Sequence, residues 1–341
     1  MKYTYIDNSS NIYTGNINNN KQEISAICFS SLPLVNFGDE RAAFFGVSLK
    51  TTAKATISES NIKIYGCDEL KNELETLINK IFKKFEFPYG INIQIFPENK
   101  NDKFSIFSAV GIATYGIVAI KYGIIYDEIM EKKLRSDKTT KRKLIKIRKK
   151  IYAYNEIFDD VISLINSDTN FDINYIQAYS SYFGGIAVGK MNETNNNSKH
   201  NSECEILRYG ENENSDVVLI PKGKENEYEN GKENDEKNKD TNINGAEDIL
   251  WDEILKGNFY TAANLGYILE LFKDDCKFYE MSRYLMKDAL YCGMTDNYIL
   301  GVFRKGTNKN LGGISEELKN LRKFNENLIM TTANNSPAGI Y

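Results

Sequence analysis

The sequence predicts an α+β fold, because strand-type and helix-type patterns follow one another from residue 23 onward. Between residues 45 and 57 the odd positions form one face at period two, which is typical of a half-buried strand. Apolar residues then recur at helical spacing from Leu70 to Phe82, and alternation returns from Ile91 to Phe96. The small-residue-rich stretch from Phe104 to Tyr122 predicts a buried helix.

The bulk composition indicates a soluble globular protein. The chain has 341 residues, of which 41% are hydrophobic and 26% charged, enough for one large domain or two ordinary ones. Its formal net charge of -4 argues against nucleic-acid binding as the role of the whole chain. The start is polar, and the longest apolar run, 109–120, is too short to span a bilayer. We therefore expect a cytoplasmic protein without a membrane segment.

The cysteines and the single histidine exclude several classes of site. The five cysteines are widely spaced and never form a CxxC pair, which favours free thiols over a disulfide framework or a zinc site. His200 lies in a polar, low-complexity stretch, so neither a Ser/His nor a Cys/His nucleophile system is predicted. We expect no metal site built from His or Cys ligands. The cysteines are Cys28, Cys67, Cys204, Cys276 and Cys292.

Residues 127–155 are predicted to form a charged helix. Between Lys132 and Lys150 there are eleven Lys or Arg residues and one acid, Asp137. One interpretation is a solvated helical face, and another is a docking surface for an anionic protein partner. Tyr152 and Tyr154 would allow base stacking on a nucleic acid, but the net acidity of the chain argues against that third interpretation.

Residues 191–247 form an insert rich in Asn, Glu and Lys. Its flanks are too polar to bury much surface and are predicted to be disordered loops. Two islands, 206–207 and 217–221, are more apolar, and the second is typical of a strand. From Ala246 the pattern is helical again, and a last strand is predicted over 327–332.

Five segments, in order along the chain, resemble a known family. They read LVNFGDERAAFFGVSLKTTAKATI, AYSSYFGGIAV, VVLIP, LKGNFYTAANLGYIL and NENLIMTTANNSPAGIY. Together they resemble the archaeal shikimate kinases of the GHMP kinase superfamily. The resemblance implies a two-lobed α+β fold, with a ribosomal-protein-S5-like N-terminal lobe over 1–165 and a ferredoxin-like C-terminal lobe over 166–341. It also implies ATP-dependent, Mg²⁺-assisted phosphorylation of the shikimate 3-hydroxyl, a step of aromatic amino-acid biosynthesis.

The family's phosphate loop has the form GLxSSSA and opens a helix, where glycine and backbone N–H groups approach the phosphates. The matching segment here is 103–109, which keeps the helix start. Ile106 and Phe107 replace two serines, while Lys103 replaces the glycine and offers a point charge. The resemblance implies nucleotide contacts from Lys103, Ser105, Ser108 and Ala109. The alternative is a buried helix start with no ligand.

The family's catalytic acids lie in a GAxDDA segment just before ASYFGG. The matching positions are Ile176 and Gln177, and neither side chain can accept the proton of a hydroxyl. Asp159 and Asp160 lie upstream and are the nearest acidic pair that could replace them. The alternative for that pair is the exposed face of a charged helix.

The family's second glycine motif, GLSGTGP, matches residues 293–299. Only Gly293 and the hydroxyl of Thr295 fit it, and Asp296 would place a negative charge near phosphates. Two functions follow from these departures. One is a divergent ATP-dependent kinase of a small alcohol, and the other is a pseudokinase that keeps the fold for binding or regulation.

Overall fold

The computed structural model describes residues 2–6, 12–16, 23–37, 41–130, 140–152, 154–168, 175–191, 204–212, 215–222, 243–273, 285–287, 289–295, 297–304 and 328–340. The first eight strands are β1 (Lys2–Ile6), β2 (Ile12–Asn16), β3 (Glu23–Phe37), β4 (Arg41–Ser58), β5 (Ile62–Tyr65), β6 (Gly90–Pro97), β7 (Gly123–Met130) and β8 (Thr140–Ile147). The others are β9 (Lys150–Tyr152), β10 (Ile186–Met191), β11 (Cys204–Gly210), β12 (Ser215–Pro221), β13 (Tyr291–Met294), β14 (Tyr298–Arg304), β15 (Ile329–Thr332) and β16 (Gly339–Ile340). The α-helices are α1 (Lys71–Phe85), α2 (Lys103–Tyr122), α3 (Tyr154–Asp168), α4 (Tyr175–Phe183), α5 (Ile243–Lys256) and α6 (Phe259–Lys273).

The chain divides into two compact units that are discontinuous in sequence. Unit 1 comprises 1–30, 49–183 and 336–341, and unit 2 comprises 31–48 and 184–335. The strands β3 and β4 each contribute residues to both units. The division into consecutive lobes over 1–165 and 166–341 stays a prediction, whereas each of these compact units draws on both halves of the chain.

Unit 1 is built on a sheet covered by helices. The second half of β4 pairs antiparallel with β6, which pairs parallel with β5, and β16 pairs with the start of β3. Alternation in β4 places Leu49, Ala53 and Ala55 in the core while Lys50 and Lys54 face solvent, as the period-two pattern predicts. The apolar stripe of α1 packs on α2, whose residues from Phe104 to Ala119 are all buried.

The helix α2 confirms the prediction of a buried helix at this position. It is the one described helix that is long and apolar enough to cross a membrane, judged by length and composition alone. Of its apolar window, 89% is buried inside the protein. Its place in the core of unit 1 accounts for that composition.

Unit 2 holds an antiparallel sheet in the order β13-β14-β12-β15. Val218, Ile220 and Ile299 form its core with Tyr267 of α6. β12 matches the predicted strand after the insert, and β15 matches the predicted C-terminal strand. A sheet of this type with helices α5 and α6 fits the α+β fold predicted for the chain.

Three distant backbone segments of unit 2 meet at Gly46, Gly185 and Asn334. Gly46 N donates to Gly185 O at 2.8 Å, Gly185 N donates to Asn334 O at 2.8 Å, and Asn334 N donates to Gly46 O at 2.9 Å. The three bonds close a ring, which we call the backbone ring. Gly185 has a φ of 71°, and a Cβ there would lie 2.4 Å from the carbonyl oxygen of Gly210. Only glycine fits this position.

The predicted charged helix over 127–155 is wrong. β7, β8 and β9 form an antiparallel sheet, and α3 begins only at Tyr154. Ile145 and Ile147 are buried on either side of the half-buried Lys146, which is the period of a strand. The helix was predicted from the high density of charged residues, but the alternation of β-branched residues favours a strand. Residues 131–139 lie outside the described residues, and so does the start of the predicted partner surface, 132–150.

Candidate functional site

The start of α2 is the candidate site, because the sequence placed phosphate contacts there. Asp102 is the N-cap, and its Oδ1 accepts a hydrogen bond from Ser105 N at 3.1 Å. Aspartate is among the preferred N-cap residues, which explains why the helix begins at Lys103. The loop before it turns tightly, since Asp102 N donates to Asn99 O at 3.3 Å. Asp102 itself is buried.

The N–H groups that a helix leaves open at its start are already used here. A helix has four such donors, and they make its N-terminus an anion site. Besides the bonds of Asp102 N and Ser105 N, Lys103 N donates to Asn101 O at 3.1 Å. Phe104 N points at the Asp102 carboxylate and lowers its pKa. The carboxylate of Asp102 therefore interacts with two of the donors at this helix start.

Ser105, a predicted nucleotide contact, is engaged within the core. Its Oγ donates to Asp102 O at 3.0 Å and lies 2.8 Å from Thr51 Oγ1 of β4. Both residues are fully buried, so this hydroxyl pair joins α2 to the sheet. Ala109 is also fully buried, whereas Lys103 is exposed at the first position of the helix.

Buried polar atoms of three side chains lie beside the helix start. They are Ser30 Oγ, Asp102 Oδ2 and Ser108 Oγ. Ser30 lies beside the Asp102 carboxylate and lowers its pKa by hydrogen bonding. Ser108 lies beside the thiol of Cys28, which is 3.6 Å from Ser181 Oγ. We call these residues, Cys28, Ser30, Asp102, Ser108 and Ser181, the Asp102 cluster.

Burial governs the protonation of this cluster. It raises the pKa of Asp102, and the hydrogen bond from Ser105 N offsets part of that rise. Burial also raises the pKa of the Cys28 thiol to about 12. Cys28 is therefore a neutral thiol at physiological pH and not a nucleophile.

The predicted acid positions lie at the start of α4. Ile176 is buried and Gln177 is half-buried, and neither side chain is an acid. The turn that follows α4 contains Gly184 and Gly185, both with positive φ, and leads into β10.

Asp160, one of the two proposed replacement acids, is held by a structural contact. Its Oδ2 accepts from Lys84 Nζ of α1 and from Tyr115 OH of α2. A helical rise of about 1.5 Å per residue puts Tyr115 about 18 Å along α2 from Lys103. The carboxylate of Asp160 is therefore held by these two hydrogen bonds, far from the start of α2.

Asp159, the other replacement acid, is exposed on α3. Partial burial raises its pKa, and the negative charges of Asp160 and Glu156 add to the rise. Asp159 in turn contributes to the raised pKa of Tyr179 on α4, which places its carboxylate beside that helix. Of the two acids, Asp159 is the one that faces the helix of the expected acid positions.

The second glycine segment forms a hairpin turn between β13 and β14 in unit 2. Thr295 Oγ1 accepts from Tyr298 N at 2.9 Å and from Asn297 N at 3.3 Å, so this hydroxyl closes the turn. Gly293 lies buried within β13, where a Cβ would meet the hydroxyl of Tyr291. Asp296 lies outside the described residues. Gly293 and Thr295 belong to unit 2, whereas 103–109 belong to unit 1.

Across the described residues, no group of three or more His, Cys, Asp or Glu side chains is placed to hold a metal ion. The sequence prediction missed Asp102, Cys28 and Ser30. An acid three residues before Ser105 and just ahead of an apolar run is a helix-start signal that could have revealed Asp102. Period two along β3 buries Cys28 and Ser30, but which element faces them is not a local property.

No protein-family model and no curated protein matches the chain. Solved structures do match it. Mevalonate kinase from L. major in complex with R-mevalonate is 11% identical, with a TM-score of 0.55 over 94% of this chain and 98% of that chain. Homoserine kinase from Cytophaga hutchinsonii is 11% identical, with a TM-score of 0.55 over 96% and 99%. Mevalonate diphosphate decarboxylase from Staphylococcus aureus is 10% identical, with a TM-score of 0.54 over 94% and 97%. The chain thus has the fold of the GHMP kinases.

Proposed function

We propose that this protein is a pseudokinase, a protein of GHMP kinase fold that acts by binding and does not transfer phosphate from ATP. The proposal depends on Asp102, whose carboxylate accepts hydrogen bonds from the backbone N–H groups at the start of α2. A phosphate at the same place would meet a like charge and find its donors taken. The described residues at this helix start therefore do not fit the phosphates of ATP.

The remaining functional positions support the same proposal. Ile176 and Gln177 provide no general base, whose loss typically lowers a rate by about 10²–10⁴. Asp160 is bound to Lys84 and Tyr115. Scaffold segments have been kept while the segments for chemistry have changed, as expected when folding is still needed and phosphoryl transfer is not.

A second candidate function is ATP-dependent phosphorylation of a small alcohol. It is favoured by the fold, which is shared with kinases of mevalonate and homoserine. The segments that resemble archaeal shikimate kinases make shikimate the first substrate to test. Asp159 is the remaining acid for such a reaction, because it is exposed and lies beside α4.

Calorimetry and a coupled assay separate the two functions. The protein is titrated with ATP and Mg²⁺, and ADP release is then followed with shikimate, mevalonate or homoserine. We expect ADP release no faster than in the absence of the alcohol. Saturable, alcohol-dependent ADP release would overturn the pseudokinase proposal. In that case Asp159→Asn should slow turnover by about 10²–10⁴, and Asp160→Asn serves as the matched control.

The cellular location and the partner of this protein are also proposals. A cytoplasmic protein fits the composition and the buried position of α2. Binding of an anionic protein partner, predicted for residues 132–150, would use the strands β8 and β9 and not a helix. The exposed basic residues described there are Arg148, Lys149 and Lys150, of which Arg148 also pairs with Glu86 Oε2 at 3.8 Å.

A further inference from the structure

We propose that one face of the sheet in unit 1 binds single-stranded nucleic acid, with unpaired bases stacked on Tyr65 and Phe96. We call it the outer face. Its side chains are those at the even positions of 50–56 in β4 and 92–96 in β6, together with Lys63 and Tyr65 of β5. The inference goes beyond the proposed function and does not depend on it, because the start of α2 contacts the opposite side of this sheet.

The outer face is open to solvent. Residues at the intervening positions, such as Ala53, Ile64 and Ile93, are buried in the core with α1 and α2. Since successive side chains of a strand point to opposite sides, the outer face turns away from these helices. Phe96 is 52% exposed and Tyr65 is 51% exposed, although both rings are large. Two such rings on neighbouring strands form a surface suited to contact with another molecule.

The register of the strands brings the two rings near each other. Tyr65 of β5 and Lys54 of β4 both lie opposite Gln94 of β6. Phe96 lies two residues farther along β6, which places its Cα about 8 Å from that of Tyr65 by ordinary strand spacings. Sheet faces that bind single-stranded RNA stack two or three bases on aromatic rings. Each of these two rings can therefore take one base of an extended strand.

The charges of the outer face favour a polyanion. Lys50, Lys54 and Lys63 are exposed, and none of the positions that make up the face is an acid. Lys54 Nζ lies 5.8 Å from the centre of the Phe96 ring, so a base stacked there would bring its phosphate toward the ammonium group. Glu98 lies at the margin, past the end of β6, where its Oε2 accepts from Lys50 N at 3.0 Å. The net charge of -4 belongs to the whole chain, whereas phosphates respond to the local field.

The composition of the outer face favours nucleic acid over a protein partner. Apart from the two rings, its positions hold only Lys, Thr, Asn and Gln. The cores of protein–protein interfaces are depleted in Lys. Gln94 is exposed between Tyr65 and Lys54, where its amide can donate to and accept from the edge of a stacked base. A ligand with flat rings and a charged backbone matches this pattern.

Fluorescence anisotropy with labelled single strands of about 12 uridines or thymidines tests the inference on the full chain. We expect both strands to bind with a Kd on the order of 10⁻⁶–10⁻⁴ M at physiological salt, and more weakly as the salt concentration rises. A DNA duplex of the same length should bind more weakly than either strand, because its bases are already stacked on one another.

Substitutions on the outer face separate stacking from charge. Phe96→Ala should weaken binding by about fivefold or more, because a stacked base is lost. Phe96→Tyr keeps a ring and should bind as the wild type does. Lys54→Gln should lower the slope of log Kd against log salt by about 0.7, as expected for one phosphate contact. Both side chains are exposed, so the variants should fold, which circular dichroism checks.

Tyr89→Ala is the matched control and should leave the affinity unchanged. Tyr89 is also an exposed ring, but the lysine beside it, Lys121, belongs to α2, with Nζ 5.1 Å from the ring centre. An equal loss in this variant, unchanged affinity in a folded Phe96→Ala variant, or no salt-dependent binding by the wild type would overturn the inference. A dimer that Phe96→Ala dissociates, seen by sedimentation without oligonucleotide binding, would assign the face to a second copy and overturn it too. ATP turnover would count against the pseudokinase proposal alone.

Discussion

Asp102 combines a favourable hydrogen-bonding position with an unfavourable charge. Its side chain caps α2, and burial raises its pKa above the ordinary value of 3.8. The folded protein therefore binds a proton at this carboxyl group more tightly than the unfolded chain does. It follows that the contribution of Asp102 to stability grows as the pH falls from neutral toward that ordinary value.

Asp102→Asn should separate the cap from the charge. Asparagine caps a helix as well as aspartate does, so we expect the variant to be at least as stable as the wild type at neutral pH. The difference in the free energy of unfolding should narrow as the pH is lowered, because only the wild type gains stability from protonation. Urea denaturation at several pH values measures it. A difference that stays constant with pH would contradict the raised pKa, and Asp68→Asn, a change at an exposed acid, provides the control.

The sequence predicts only some of the residues of the candidate site. Ser105 and Ser108 were found through the phosphate-loop match, and both lie in the first turns of α2. Cys28 and Ser30 were missed, because a buried polar residue on a strand gives no local sign of what faces it. Their relation to Asp102 depends on how β3 packs on α2, which is a tertiary property.

At the scale of elements, Lys84, Tyr115 and Asp160 join three helices. Burial raises the pKa of Tyr115, and its bond to Asp160 adds to the rise, so the hydroxyl stays protonated and donates. Lys84 pairs with the same carboxylate from α1, and its Nζ lies 5.6 Å from the centre of the Tyr152 ring. This contact explains why α3 presents Asp160 to the core and Asp159 to solvent.

Tyr115→Phe should destabilise the protein by about 1.5–3 kcal/mol, because it removes a hydrogen bond to a charged group in a partly buried setting. A double-mutant cycle with Asp160→Asn, followed by urea denaturation, measures the coupling between the two side chains. Strictly additive effects would show that the bond contributes nothing. Lys150→Ala is the control, because its pair with Glu156 is largely exposed and should matter little.

Elements with a clear hydrophobic period were predictable, and charged ones were not. The limits of α2 and β6 agree with the sequence to within one residue, since apolar burial fixes both. The strands β8 and β9 were predicted as part of a helix, because a high density of charged residues shows no periodicity that separates a strand from a helix. Among the residues of β8 whose side chains the structure describes, Ile145 and Ile147 mark the buried face, and two positions are too few to set a period from sequence alone.

At the scale of the whole molecule, the backbone ring joins segments that lie far apart in the chain. Gly185 combines a positive φ with a close approach to Gly210 O, so Gly185→Ala should cost about 2 kcal/mol or more. Gly210→Ala is the matched control, because a Cβ there meets nothing within 4 Å. Its effect should stay within about 0.5 kcal/mol. Thermal unfolding compares the two, and equal effects would contradict a structural role for the ring.

The segment AYSSYFGGIAV, identified by resemblance, covers most of α4, the glycine turn and the start of β10. The resemblance did not predict that the chain would pass from one unit to the other at Ser30, Ser48 and Phe183. Such passages depend on the pairing of strands that lie far apart in sequence, and the register of that pairing is set by the packed faces of the whole sheet.

The backbone ring also bears on how distant relatives of this chain can be recognised. A loop that contacts a ligand is free to change once the ligand is lost, as we propose for residues 103–109. Gly185 has no such freedom, since its constraint comes from the chain itself. Searches anchored on a glycine-rich phosphate loop would pass over proteins of this kind. Searches anchored on the spacing of Gly46, Gly185 and Asn334 would group them by architecture, whether or not they still handle a nucleotide.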